Sequence, residues 1–262
     1  MITRIPFTTC PLCDSSSHRM FCAADCTRDP VYKAGLPTTI IWRKCQACDH
    51  VFTDGYFSDE ALSIIFSTMH DNQRLTHEIE QQRNISARMV EKVLPYADHG
   101  TWLDVGFGNG SLLFTAQEYG FHPVGIDLRE DNVKALRALG IEAHCSDLAT
   151  LTLSQPCTII SMADVLEHIP YPKQGLADAA RLLTDDGIVL ISMPNRESML
   201  WRVLDQSKGN PYWGVIEHYH NFTRARLYNL LRETGFTPVR YGVSERYRAG
   251  MEVIARKTPA CA

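Results

Sequence analysis

The sequence predicts an α/β domain built on a doubly wound, largely parallel sheet, with a small cysteine-rich module ahead of it. Three observations predict this. From Thr101 onward, short apolar strand-like runs alternate with amphipathic helical runs, the pattern of repeated β-α-β units. A glycine-rich turn joins the first of these strands to the first of these helices. Six of the nine cysteines fall within the first 48 residues, so the character of the chain changes sharply along its length.

The elements follow in order. Residues 1–57 are irregular and cysteine-rich, 58–99 read as a helical linker or cap, and 100–262 carry the sheet, with an insertion at 196–221. Ser58-Asp59-Glu60 caps an apolar-periodic stretch through Leu62, Ile65 and Phe66. A second helix is expected from Arg74 to Leu94, stopped by Pro95. TWLDVG (101–106), FHPVGID (121–127), IEAHCSD (141–147), CTIISMAD (157–164) and GIVLISMPN (187–195) read as five strands. The fourth is almost continuously apolar, as a strand buried on both faces should be. Helices are expected at SLLFTAQEYG (111–120), EDNVKALRALG (130–140), QGLADAARLL (174–183) and TRARLYNLLRETGF (223–236). Two further strands are expected near TPVRYGVSE (237–245) and GMEVIARK (250–257).

Composition narrows the functional classes. With 262 residues and 45% hydrophobic content, the chain can bury one sizeable core and carry a small appendage. A net charge of -4 argues against a nucleic-acid partner, which usually calls for a basic excess. No apolar run is long enough to span a membrane, and MITRIPFTTCPLC lacks the apolar core of a signal peptide. The expectation is a cytoplasmic protein without a membrane partner. In a reducing compartment, clustered cysteines more often hold metal than form disulfides.

Cys10-Pro-Leu-Cys13 and Cys45-Gln-Ala-Cys48 form two C-x-x-C knuckles. Four thiolates are the soft tetrahedral set that a structural Zn²⁺ prefers. The gap from Cys13 to Cys45 exceeds the usual window for paired knuckles, so a loop or small hairpin must fill it. His18, Cys22 and Cys26 stand open as alternative or additional ligands. Cys145 and Cys157 read as buried small residues and Cys261 as a tail thiol.

The turn Gly106-Phe107-Gly108-Asn109-Gly110-Ser111 lies between a strand and a helix. Glycines there allow unusual backbone angles and let a ligand approach the main chain. A dinucleotide fingerprint would place its third glycine at position 111. Ser111 stands there instead, which counts against a nicotinamide or flavin cofactor. The next strand ends at Asp127, where an acidic side chain can accept both ribose hydroxyls of a nucleoside. Polar residues recur where later strands leave the sheet, at Asp147 and at Asp164. Ligands of open α/β sheets bind at that edge.

The run LDVGFGNGSLL, followed by VGID, CSDL, ADVLEHIPYP, LLTDDGIVLISMPN and LLRETGF, resembles the class I S-adenosylmethionine-dependent methyltransferases over residues 100–257. The resemblance implies a Rossmann-like seven-stranded sheet in the order 3-2-1-4-5-7-6, with the last strand antiparallel. It implies that Asp104 and the turn at Gly106, Phe107, Gly108 and Gly110 hold the methionine moiety of S-adenosylmethionine. Asp127 would take the ribose hydroxyls with Leu128 against the adenine, and Asp147 the adenine amino group with Leu148 beside it. Asp164 and Val165 would line the cofactor near its sulfonium. CPLC, WRKCQACDHVF and YFSDEAL also resemble the zinc-binding segment, ribbon-like, that precedes some bacterial methyltransferases. Several of those act on sugars or other small metabolites. The larger sugar C-methyltransferases carry a further C-terminal domain, for which this chain is too short.

Methyl transfer is an in-line displacement, and a general base is needed only where the acceptor must lose a proton. His168 beside Glu167, and His218 and His220 in EHYHNF, are the catalytic candidates. The bland alternative makes Glu167-His168 a brace for its loop. The insertion carries Trp201, Tyr212, Trp213 and Tyr219. Long loops of this kind serve as lids or binding loops, or pack as ordinary helical insertions. A small-molecule acceptor of unspecified atom is the first expectation. An RNA methyltransferase gripping through its zinc module is the second, and a non-catalytic binding protein on the same fold the third.

Overall fold

A computed structural model describes residues 4–66, 74–246 and 249–259 of the chain. Its N-terminal part is β-structure: β1 (Ile5–Pro6), β2 (His18–Asp25), β3 (Thr39–Cys45), β4 (Val51–Thr53) and β5 (Gly55–Tyr56). Two helices follow, α1 (Asp59–Phe66) and α2 (Ile79–Val93). The α/β part then runs β6 (Thr101–Val105), α3 (Ser111–Glu118), β7 (His122–Asp127), α4 (Glu130–Ala138), β8 (Glu142–Cys145), β9 (Cys157–Ala163), α5 (Pro172–Leu182) and β10 (Leu183–Pro194). It ends with α6 (Met199–Gln206), β11 (His220–Asn221), α7 (Arg224–Glu233), β12 (Phe236–Val243) and β13 (Gly250–Lys257).

The large sheet has seven strands in the order β12-β13-β10-β9-β6-β7-β8. Numbered within the domain, that is 3-2-1-4-5-7-6 read from the other edge, as the resemblance implied. β6, β7, β8, β9 and β10 are parallel, and β13 enters antiparallel between β10 and β12. Helices cover both faces, which is why β9 and the second half of β10 are apolar almost throughout. One core, around Leu103, Ile160, Val189, Leu230 and Val253, packs α5 and α7 against one side. Another, around Met89, Trp102, Leu112, Ile159 and Ile254, packs α2 and α3 against the other. Lys92 on α2 donates to the buried Glu252 of β13 at 2.7 Å and ties that helix to the strand beside the sheet's β12 edge. Capping follows the sequence where it was legible: the Thr223 hydroxyl accepts from the Arg226 N–H at 3.1 Å and opens α7.

Three features depart from the sequence expectations. The helix expected from Arg74 begins only at Ile79. Residues 74–78 instead form a strap over the glycine turn, where the Thr76 N–H donates to the Asn109 carbonyl at 3.0 Å and the Asn109 amide to the His77 carbonyl at 3.3 Å. Cys145 is exposed at the end of β8 rather than buried, because the strand has already left the core there; Cys157 is buried as expected. Cys261 lies outside the described residues.

The third departure concerns the insertion. Its strand β11 joins the N-terminal sheet, giving the order β11-β4-β3-β2, all antiparallel. The two regions also share a core: Ile40, Trp42, Val51 and Phe57 pack with Ile65 of α1 and with Ile216 and Tyr219 of the insertion. Trp42 donates its ring N–H to the Trp213 carbonyl at 2.8 Å, and the two rings meet edge to face at 5.5 Å. Trp213 in turn donates to Asp205 at 2.7 Å, and Trp201 stacks on Tyr212 at 5.0 Å. Of the two readings of the insertion, a binding loop or a packed insertion, these contacts match the second: its aromatics pack on the apolar face of the cysteine-rich module.

Candidate active site

The two knuckles close first. Each begins with a buried cysteine, Cys10 or Cys45, and a turn brings back Cys13 or Cys48. Immediately after each second cysteine stands an aspartate in the left-handed region, Asp14 at φ 58° and Asp49 at φ 59°. Aspartate tolerates that conformation better than most residues. The hairpin of β2 and β3 fills the long gap between knuckles. The sulfurs of Cys10 and Cys48 stand 3.7 Å apart and those of Cys13 and Cys45 3.6 Å apart, with all four within 4.8 Å of one another. A tetrahedron with Zn–S arms of about 2.3 Å has edges of about 3.8 Å. Hydrogen bonding from Cys10 holds the Cys48 thiol down to about 5, while that same bond and burial push Cys10 up. His18, Cys22 and Cys26 stand apart from this cluster. His18 faces Arg43 at 3.3 Å, Cys26 donates to the Pro37 carbonyl at 3.0 Å, and Cys22 packs into the aromatic core.

The glycine turn leaves the end of β6 at the sheet's carboxyl edge. Gly106, Gly108 and Gly110 all have positive φ, at 64°, 52° and 77°. A Cβ on Gly110 would stand 2.9 Å from Leu75 of the strap, and one on Gly106 would stand 3.2 Å from Val165. The turn thus needs glycine both for its backbone and for the closeness of its neighbours. The Phe107 ring is buried with Leu113, Val133 and Leu136 and approaches closely above Gly125.

Asp104 is buried and accepts from the Ser161 hydroxyl at 2.5 Å; Ser161 itself accepts from the Trp102 ring at 2.8 Å. Burial pushes the Asp104 carboxyl up to about 7 despite that hydrogen bond. Asp127, also buried, holds the Arg129 main-chain N–H and guanidinium, with contacts at 2.9, 2.9 and 2.8 Å. A carboxylate has about four lone-pair sites, so two ribose hydroxyls would need Arg129 to yield at least one. Leu128 is 63% exposed beside it. Asp147 caps its own loop, accepting from Thr150 at 2.9 and 2.6 Å, and Leu148 is buried in the main core rather than presented beside a ligand. Asp164 sits in the left-handed region at φ 60° and pairs with Arg246 at 3.0 Å. Burial pushes it up to about 7.

After β9 the chain makes one tight turn through Leu166, Glu167 and His168, and the insertion returns to lie against it. The Tyr219 N–H donates to the Glu167 carbonyl at 2.9 Å, and the Thr53 N–H to the Tyr219 carbonyl at 2.9 Å. His168 meets the Glu217 carbonyl through Nδ1 at 3.0 Å, so that nitrogen carries the proton and Nε2 is left as the lone-pair nitrogen. His218 stands edge to face with it at 4.7 Å. Burial lowers His168 to about 4 and His218 well below its usual range, so both imidazoles are neutral at pH 7. His220 is different. Its Nε2 serves the Ile169 and Pro170 carbonyls at 2.9 and 3.2 Å, and its Nδ1 faces His50 Nε2 at 3.1 Å. With both nitrogens engaged, His220 is a strut rather than a base. His50 lies two residues past Cys48, so the strut begins at the second knuckle. The pairing was invisible in the sequence, since His50 and His220 stand 170 residues apart. Arg129, two residues past Asp127, was within reach of sequence reasoning; Arg246 and the strap were not.

This combination of sheet order, glycine turn and acidic strand ends defines a class I, Rossmann-fold methyltransferase. The chain belongs to that S-adenosylmethionine-dependent family: the family described as "Methyltransferase domain" matches residues 77–241. Among curated relatives, the ubiquinone biosynthesis O-methyltransferase of Idiomarina loihiensis is 32% identical over 38% of this chain and 44% of its own length. The Nitrosococcus oceani enzyme of the same name is 28% identical over 72% of this chain and 83% of its own. The chain thus spans less than half of the first relative and most of the second. Among solved structures, the 1,6-didemethyltoxoflavin-N1-methyltransferase of Burkholderia thailandensis, with bound 1,6-didemethyltoxoflavin and S-adenosylhomocysteine, superposes with a TM-score of 0.59. It is 19% identical and covers 81% of this chain and 97% of its own. Among the described residues no helix is long and apolar enough to cross a membrane.

Proposed function

We propose that the protein transfers the methyl group of S-adenosylmethionine to a hydroxyl oxygen of a small metabolite, with a structural Zn²⁺ on Cys10, Cys13, Cys45 and Cys48. The observation that carries the cofactor assignment is the juxtaposition of three positive-φ glycines with the buried carboxylates Asp104 and Asp127 at one sheet edge. The sulfonium cofactor supplies an activated methyl; the acceptor's lone pair takes it, the C–S bond pair stays on sulfur, and the acceptor's proton leaves. Asp104 and the backbone of residues 106–110 bind the methionine end. Asp127 binds the ribose, Leu128 and the loop of Asp147 flank the adenine, and Asp164 and Val165 line the reacting end. Gly106 stands close under Val165, which holds the two walls together.

His168 and His218 present neutral imidazoles on the acceptor side, the candidate acceptors for the hydroxyl proton. Their depressed basicity suits an acidic, phenol-like hydroxyl rather than an alcohol. The oxygen acceptor is favoured by the O-methyltransferases among the relatives. Calorimetric titration of S-adenosylhomocysteine tests the cofactor half: micromolar binding is expected, lost in Asp127→Ala. A folded, zinc-loaded protein that binds none would overturn the reading. Transfer of labelled methyl to a panel of catechols and phenols, against amines, tests the acceptor half.

A further inference from the structure

Arg129 stands where its residue type is locally unfavourable. It is the N-cap of α4, at φ −94° and ψ 108°, and its side chain caps nothing. Helix starts favour Ser, Thr, Asp or Asn, whose short side chains accept from the first free N–H groups; α6 and α7 follow that rule with Ser198 and Thr223. A cation at this position also meets the positive end of the helix dipole. A residue that breaks a local rule points to a role elsewhere. The Arg129 side chain turns back onto Asp127: Nε donates to Oδ1 at 2.9 Å and Nη2 to Oδ2 at 2.8 Å, while the main-chain N–H donates to Oδ1 at 2.9 Å. Two exposed carboxylates, Glu130 and Asp131, follow directly in the chain, yet the guanidinium takes the buried one. The pair is enclosed, with the Asp127 side chain 5% exposed and that of Arg129 16%.

This contact has the chemistry of a ribose. A guanidinium edge and a cis-diol each offer two donors side by side to the two oxygens of one carboxylate. Both want the lone-pair directions in the carboxylate plane. With the main-chain bond kept, three acceptor positions on Asp127 remain for four donors, so the two partners cannot both be held in full. We infer that Arg129 is an internal competitor for the ribose seat: its guanidinium holds Asp127 whenever the nucleoside does not, yields to the ribose diol, and returns as S-adenosylhomocysteine leaves. The inference rests on the ribose assignment of Asp127 made above and adds how that seat is regulated. The competitor lowers affinity for cofactor and product alike, and so eases release of the product. It also keeps a buried carboxylate partnered throughout, where an uncompensated charge would be costly. Once released, the guanidinium lies at the start of α4 beside the exposed Glu130 and Asp131, so yielding forfeits only part of the pair's strength.

The test compares the full-length wild type with Arg129→Ala and Arg129→Lys. Calorimetry measures S-adenosylhomocysteine; ligand-observed magnetic resonance measures adenosine and 2′,3′-dideoxyadenosine. The dideoxy nucleoside has no diol and does not need Arg129 to move. Loss of the competitor should tighten S-adenosylhomocysteine and adenosine about five- to tenfold in Arg129→Ala, and leave dideoxyadenosine within about twofold. Arg129→Lys keeps the charge beside Asp127 but loses the fork, so it should show the same gain in smaller measure and guards against misfolding of the alanine variant. Unchanged or weaker S-adenosylhomocysteine binding in both variants overturns the proposal. An equal gain for the dideoxy nucleoside also overturns it, because Arg129 would then be obstructing the pocket rather than competing for the carboxylate. Failure of the wild type to bind S-adenosylhomocysteine sinks the ribose assignment and the competitor with it, whereas wild-type binding without a gain in the variants sinks the competitor alone.

Discussion

The proposed cofactor side and the proposed acceptor side of this site are assembled in opposite ways. On the cofactor side, every residue sits at or just past the end of a neighbouring parallel strand, and the important contacts are short-range, such as Asp127 with Arg129 two residues on. On the acceptor side, three stretches far apart in the chain meet: the second knuckle at His50, the turn at Glu167-His168 and the insertion at His218-His220. A local site depends on its own turn chemistry. An assembled site depends on everything that holds the stretches together, here a shared sheet and a shared aromatic core.

The contrast can be broken most severely at the metal knuckle. Cys45→Ser should abolish the proposed zinc binding and unfold the N-terminal sheet, with a loss of several kcal/mol and a fall in melting temperature of more than about 10 °C. Elemental analysis and differential scanning calorimetry read both. The acceptor-side contacts should go with it, and the glycine turn should keep its form.

Trp42→Ala comes next. It empties the shared core and removes the hydrogen bond to the Trp213 carbonyl, at a cost of about 3–5 kcal/mol in chemical denaturation. S-adenosylhomocysteine affinity should move by less than about threefold, since among the described residues the core around Trp42 contains none of the proposed cofactor-side positions. A large fall in affinity would show that the two sides are one unit.

Asp127→Ala removes the proposed acceptor for two ribose hydroxyls and should cost about 3 kcal/mol of binding, roughly 100-fold, with stability little changed. His220→Phe keeps the ring's volume but breaks the bridge to His50. Turnover should fall by about tenfold while cofactor affinity stays level, a split that steady-state kinetics and calorimetry resolve. If both stay level, the strut positions nothing.

The smallest effect is on pH. Asp104 is pushed up to about 7 by burial, above its unfolded value, so the folded protein holds this proton more tightly than the unfolded chain. Its contribution to stability is present at low pH and is lost as pH rises towards 7. Binding of a cofactor ammonium wants the ionised form, so affinity for S-adenosylhomocysteine should rise by a few-fold between about pH 6 and 8. Asp104→Asn should flatten that slope and lower the plateau.

Legibility in the sequence divides along the same line. Strand alternation, the glycine turn and the acidic strand ends are properties of contiguous residues, so the α/β class could be read directly, while the sheet order came only from the resemblance those motifs carry. The paired knuckles could too, because their spacing is local. The burial of Phe107 and Leu148 was not legible because a motif gives the position of a residue and not the direction of its side chain. The strap over Asn109 was missed because helical periodicity near Arg74 continues the pattern of the true helix. Arg246 and the His50–His220 bridge had no signal at all in one sequence, since each depends on a chain reversal that only the fold supplies. The aromatic insertion stayed open between a lid and a packed insertion because an unpartnered Trp-rich loop and one with a distant partner are written alike.

The pairing of β4 with β11 bears on how the protein is made. A ribosome delivers the four cysteines and the first three strands of the small sheet early, while the strand that closes its flank is still uncoded for some 170 residues by the spacing of His50 and His220. Throughout that interval the nascent module carries an open strand edge and an unfilled aromatic face, features that invite pairing with other chains. Early capture of a metal ion by the two knuckles would hold the hairpin in register while it waits, so that a module synthesised ahead of the large sheet is finished only after most of that sheet has been made.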